Sequence, residues 1–130
     1  MKYLLDTNAV IKILNGERKL IRRVQANHAA DIGLPAIVMH ELYFGAFHGR
    51  KTNETIALIE RLAFDVVDFQ IDDARCAAEI RAMLAAVGAP IGPFDILIAG
   101  QALARDLTLI THNTREFARV NGLRIEDWEI

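Results

Sequence analysis

A chain of 130 residues with 52% apolar and 25% charged side chains can bury one compact core and is too apolar to remain disordered. Its net charge of −2 excludes a global attraction for nucleic acid, so any phosphate-binding surface has to be local. A single cysteine, Cys76, excludes an internal disulfide and a cysteine-built metal site, and no apolar run reaches the roughly 18 residues of a membrane span. The expectations are one domain over residues 1–130, Cys76 packed in the core, and no membrane association. Because residues 1–3 lead directly into a strand-like segment, the location is expected to be cytoplasmic.

Residues 2–5 read as a short buried strand ending at Asp6, and 9–14 as a helix that Asn15-Gly16 stops. A second amphipathic helix is expected over 18–27 with Leu20, Ile21 and Val24 inward, then a brief strand over 32–34. Pro35 suits the first turn of a long helix to Phe47. Residues 52–62 put Ile56, Ile59 and Leu62 in helical phase, and 64–69 alternate like a strand. The longest helix spans 72–87, with Ala77, Ile80 and Leu84 on one face and Gly88 closing it. Two prolines and Gly92 make 89–94 a rigid loop, and Asp95 starts a helix to Arg105. Strands over 108–111 and 123–125 complete the pattern.

Strands alternating with helices predict an α/β fold of three layers, α/β/α, around a mainly parallel sheet of four to five strands. Sites in such sheets lie beyond the carboxyl ends of the strands, where Asp6 and Thr111-His112-Asn113 would fall. Two basic runs, Arg18-Lys19-Arg22-Arg23 and His48-Arg50-Lys51, read as solvated helix faces.

Asp6, Glu41 and Asp95 are each the only formal charge in their surroundings: between Lys2 and Lys12, over 32–47, and over 82–104 respectively. An ionised carboxylate in a segment built for burial costs several kcal/mol unless something compensates it. No lysine or arginine is available nearby in sequence. Asp6 and Asp95 also stand where helix N-caps stand, so backbone N–H groups remain an alternative for them. Glu41 lies in mid-helix, where no such cap is available. One hard divalent cation would satisfy all three, and Mg2+ or Mn2+ on oxygen ligands points to phosphoryl chemistry.

Other chemistries fail on particular residues. His40-Glu41 would begin a zinc-protease helix, but Phe44 stands where the second histidine belongs. Asn8 replaces the second acid of an aspartyl phosphatase. Thr108-Leu109-Ile110-Thr111 carries no lysine of the kind a phosphate-accepting receiver needs. No glycine-rich phosphate loop is present, and His28, His40, His48 and His112 have no ligand or triad spacing.

Four segments stand out in order and spacing along nearly the whole chain: Leu4-Leu5-Asp6-Thr7-Asn8, His40-Glu41-Leu42, Gly92-Pro93-Phe94-Asp95-Ile96-Leu97-Ile98-Ala99 and Leu109-Ile110-Thr111-His112-Asn113-Thr114-Arg115-Glu116-Phe117. In these the chain resembles the PIN-domain ribonucleases of the VapC toxin type. The resemblance implies a Mg2+- or Mn2+-dependent endoribonuclease, the toxin of a type II toxin–antitoxin system. It implies a VapB-type antitoxin as partner, and a homodimer that can enter a larger toxin–antitoxin assembly. Asp6, Glu41 and Asp95 match the family's acidic positions. A further acidic position of the family falls near Asn113, which is neutral here. By the same likeness, Asp6 and Asp95 would hold the ion directly and Glu41 through water, with Thr7, Asn8, Thr111 and Asn113 orienting ligands or contacting substrate. Glu79, on the long helix, is an auxiliary candidate acid, with a surface position the favoured reading. An antitoxin segment would lay apolar side chains into a groove between the early helices. Among RNA targets, initiator transfer RNA is the preferred expectation. Two rival readings are a binding module of this fold without catalysis and a metal-dependent phosphatase for small esters.

Overall fold

The computed structural model describes residues 1–130. Its strands are β1 (Tyr3–Leu5), β2 (Ile32–Pro35), β3 (Asp65–Val67), β4 (Thr108–Ile110) and β5 (Ile125–Glu126). The helices between them are α1 (Thr7–Leu14), α2 (Arg18–Gln25), α3 (Ala36–His48), α4 (Thr52–Glu60), α5 (Ile71–Ala86), α6 (Pro93–Ala104) and α7 (Thr114–Phe117). The five strands pair in the order β3-β2-β1-β4-β5, and every pairing is parallel. Parallel strands need crossovers, and here helices supply them and flank the sheet, as the alternation in the sequence predicts. No helix is long and apolar enough to cross a membrane.

Leu4, Leu5, Ile32, Leu34, Leu109 and Ile110 on the central strands are fully or almost fully buried, within one core cluster of 26 residues. Cys76 lies only half-buried at the edge of that core, against the expectation of full core packing. Gly88, with φ of +68°, ends the α5 region in the left-handed conformation that glycine adopts without a Cβ clash.

Helix starts differ most from the sequence reading. Asp6 caps α1 from outside it, so α1 begins at Thr7 rather than residue 9. Pro35 closes β2 and precedes α3 instead of lying inside it. The α6 helix begins at Pro93, with Gly92 as its cap and Asp95 inside the first turn. Proline at the first helical position fixes φ and forgoes only an unpaired N–H, which explains the earlier start.

One buried ion pair ties α5 to the end of α6. Asp73, 1% exposed, accepts hydrogen bonds from Arg105 Nε (3.1 Å) and Nη2 (2.9 Å), and its Oδ2 also accepts the Gln70 N–H at 2.8 Å. Burial pushes the Asp73 carboxyl up, but the Arg105 guanidinium and the Gln70 N–H outweigh it and hold it below the usual carboxylate range. A depressed carboxyl stabilises the fold fully above its unfolded pKa and loses that contribution as pH falls through its folded one. Arg105→Met is therefore expected to cost about 2 kcal/mol at pH 7, discounted because the arginine is partly exposed. In urea titrations the gap to wild type should narrow at pH 3; an equal gap at both pH values would mean that packing alone is lost.

Candidate active site

Strand β1 delivers Asp6 to the carboxyl edge of the sheet. Its backbone N–H donates to Ile110 O on β4 at 3.1 Å, and its side-chain Oδ1 accepts the Ala9 N–H at 2.8 Å. The N-cap alternative thus holds for Asp6, yet a cap needs only one oxygen of the pair. Asp6 is 4% exposed. Burial pushes its carboxyl above the usual range, the Thr111 hydroxyl and Ala9 N–H offset part of this, and Glu129 and Glu41 add to it.

Asp95 does not cap its helix, which corrects that alternative: Gly92 takes the cap position and no side chain closes it. The Asp95 carboxylate instead folds back over Gly92, where an added Cβ would meet Oδ2 at 3.3 Å. Burial first, then the negative charges of Asp6, Glu41 and Glu116, push the Asp95 carboxyl up to about 6. Glu41, half-buried in the middle of α3, accepts the Thr7 hydroxyl on Oε1 at 2.6 Å. Three separate segments thus bring Asp6, Glu41 and Asp95 into mutual electrostatic range.

The other candidates divide. Thr7 orients Glu41, and Thr111, 1% exposed, faces Asp6 while its Oγ1 accepts the Asn113 N–H at 2.9 Å. The Asn113 amide donates to Glu116 Oε2 at 3.1 Å, so the neutral side chain places an acid beside the site. Asn8 is exposed and makes no hydrogen bond to any of the acids. Glu79 lies away on α5, exposed and paired with Arg75 at 3.5 Å. Glu116 escapes a sequence reading that looks for lone acids, because Arg115 stands next to it. Its place in the first turn of α7, three residues after Asn113, was the available signal.

The chain's ion pairs leave Asp6, Glu41, Asp95 and Glu116 without a lysine or arginine. Converging carboxylates without a protein cation, with Asp6 and Asp95 held above the usual carboxylate range, form a donor set that suits a hard divalent ion. Glu41 also borders an apolar groove between α1, α3 and α4, lined by Ile11, Leu14, Leu42, Ala46 and Leu58. Beyond it, Phe44 and Phe47 on α3 are 62% and 67% exposed. The basic run on α2 is solvent-facing, as expected, except that Arg23 also stands 5.4 Å over the Trp128 ring.

The family model described as PIN domain matches residues 3–123. A tRNA(fMet)-specific endonuclease VapC of Shigella flexneri is 38% identical over 130 residues, covering 98% of both chains. A relative of the same description from Salmonella typhimurium is 35% identical over 98% of both chains. Among solved structures, a chain of DNA-bound VapBC from Salmonella typhimurium superposes with a TM-score of 0.93 at 35% identity, again over 98% of each chain.

Proposed function

Since this chain belongs to the PIN-domain family, and within it to the VapC ribonucleases, we propose that Asp6, Glu41 and Asp95 are the site at which it hydrolyses RNA phosphodiester bonds with Mg2+ or Mn2+. The carrying observation is the convergence of these three acids, without any basic partner, at the carboxyl edge of the sheet. Asp6 and Asp95 would hold the ion, and Glu41, fixed by Thr7, would hold it through water or orient the attacking water. When bound, the ion supplies Lewis-acid polarisation of a phosphoryl oxygen and a more acidic water.

The protein's own part is positional. Thr7 sets the Glu41 carboxylate, β4 and the α1 cap set Asp6, and Pro93 sets the first turn that carries Asp95. Thr111 and Asn113 shape the far wall, with Asn113 presenting Glu116. Asn8, exposed beside the pocket, is available to substrate.

As a VapC toxin the chain is paired with an antitoxin of the VapB kind, in keeping with its likeness to a chain of the VapBC complex of Salmonella typhimurium. The groove running from Glu41 between α1, α3 and α4 suits an apolar antitoxin segment. The exposed phenylalanines of α3 suit a homodimer contact. Similarity to two relatives described as tRNA(fMet)-specific supports initiator transfer RNA as the substrate.

The test is cleavage of total RNA and of isolated initiator transfer RNA by antitoxin-free protein, with Mg2+ or with EDTA, beside a small aryl phosphate. Discrete RNA fragments that need the metal, with no ester hydrolysis, are expected. Ester hydrolysis without RNA cleavage would favour the phosphatase. Folded protein that cuts neither would favour the binding module.

A further inference from the structure

The C-terminal tail carries a second group of ligand-type side chains that the proposed nuclease chemistry does not use. Trp128 is 1% exposed and packs edge-on against Tyr3, with ring centroids 4.9 Å apart. With Trp128 fixed, its neighbours Asp127 and Glu129 both reach toward His112, on the loop after β4. His112 Nδ1 lies 2.8 Å from Asp127 Oδ2 and 3.8 Å from Glu129 Oε2, and the three ligand atoms all fall within 4.8 Å of one another.

Each carboxylate has its other oxygen already held. Asp127 Oδ1 accepts the Glu129 N–H at 2.9 Å, and Glu129 Oε1 accepts Lys12 Nζ. One oxygen of each is thereby turned toward the imidazole nitrogen, which is how outer contacts orient metal ligands. Two carboxylates against one ammonium leave the cluster negative. Bonds of about 2.0–2.2 Å to a cation place its ligand atoms roughly 3 to 4 Å apart, close to the spacing found here. The Asp127 and Glu129 side chains are 11% and 12% exposed and His112 is 56% exposed, so the position opens to solvent and leaves room for water ligands.

We propose that His112, Asp127 and Glu129 form a second cation site, beside the Asp6–Glu41–Asp95 pocket and with its own ligands, that takes a borderline ion such as Zn2+, Ni2+ or Co2+ and fastens the tail to the end of β4. The imidazole sets the preference, because nitrogen ligands favour these ions over Mg2+. The competing occupant is a proton, which would make the cluster a histidine held by two carboxylates and nothing more. The inference uses ligands other than Asp6, Glu41 and Asp95, although Glu129 lies close enough to Asp6 to push its carboxyl up, so the two sites are neighbours.

The experiment is a Zn2+ titration of the full chain at pH 7.5 in excess Mg2+, followed by the imidazole nitrogen signals. His112→Gln assigns its resonance, and the other three histidines serve as internal controls. Saturable movement of the His112 Nδ1 signal at one equivalent is expected in wild type and equally in Asp95→Asn. Asp127→Asn keeps Oδ1 for the Glu129 N–H, preserving the tail, and should weaken Zn2+ binding roughly tenfold or more. An unmoved His112 signal would overturn the site. So would movement lost in Asp95→Asn, or an unchanged affinity in Asp127→Asn.

Discussion

Replacing Asp95 with asparagine is expected to remove RNA cleavage while making the metal-free protein more stable near neutral pH. On the activity side, losing a carboxylate proposed to hold the ion should forfeit several kcal/mol of transition-state stabilisation, so the rate should fall by about a hundredfold or more. The stability side follows from the raised carboxyl. With its pKa at about 6 in the fold and an ordinary value of 3.8 when unfolded, Asp95 binds a proton more tightly in the native state. Between those two values stability therefore falls as pH rises, and above about 6 the full penalty remains. Asparagine carries no charge to penalise. In EDTA at pH 7.5 the variant should melt a few degrees above wild type, corresponding to about 1 kcal/mol after allowance for solvent screening. The gap should vanish by pH 4, and Mg2+ should close it at pH 7.5 by stabilising wild type more than the variant. A variant that melts lower than wild type in EDTA would show that the Asp95 charge is compensated within the protein.

The second large effect concerns a position far from any chemistry. Helices α5 and α6 cross at Gly100, where an added Cβ would lie 2.5 Å from Ala77 Cβ and 2.6 Å from its backbone N and Cα. Backbone cannot swing aside as a flexible side-chain tip can. Gly100→Val is expected to force the helices apart and cost about 3 kcal/mol, which for a domain of this size lowers the melting temperature by on the order of 10 °C. Because α6 begins with the turn carrying Asp95, cleavage should fall as well, even at temperatures where the variant is folded. Thermal melts and cleavage assays at 20 °C check both parts. Unchanged melting would mean that α5 and α6 can separate without loss.

Much of this was legible from residue patterns, for identifiable reasons. Buried parallel strands flanked by glycine, proline and charged turns stand out as short apolar runs, so all five strand positions were found, the last one displaced toward residues 125 and 126. Asp6, Glu41 and Asp95 were legible because each is the only charge in a long neutral stretch. Helix starts were less so. Capping is a geometric choice among neighbouring residues, and Gly92-Pro93 won over Asp95 through backbone preference rather than side-chain hydrogen bonding. Glu116 and the His112–Asp127–Glu129 group were not legible, because charged residues crowd the last part of the chain and only folding selects which of them meet. Glu79, weighed as an auxiliary acid against a favoured surface position, is at the surface, where helical phase carries it to the outer face of α5.

The order of the sheet also bears on when the protein can act during its own synthesis. Asp6 is fixed on one side by α1, which is made early. On the other side its N–H bonds to Ile110, and β1 pairs with β4 across more than a hundred residues of chain. Closing so long a loop is slow, and it cannot begin before β4 has emerged from the ribosome. A nascent chain shorter than that holds Asp6, Glu41 and Asp95 in sequence but not yet in one pocket. The pocket therefore closes only once the last fifth of the chain has been made, so the fold itself delays the nuclease until its synthesis is nearly complete.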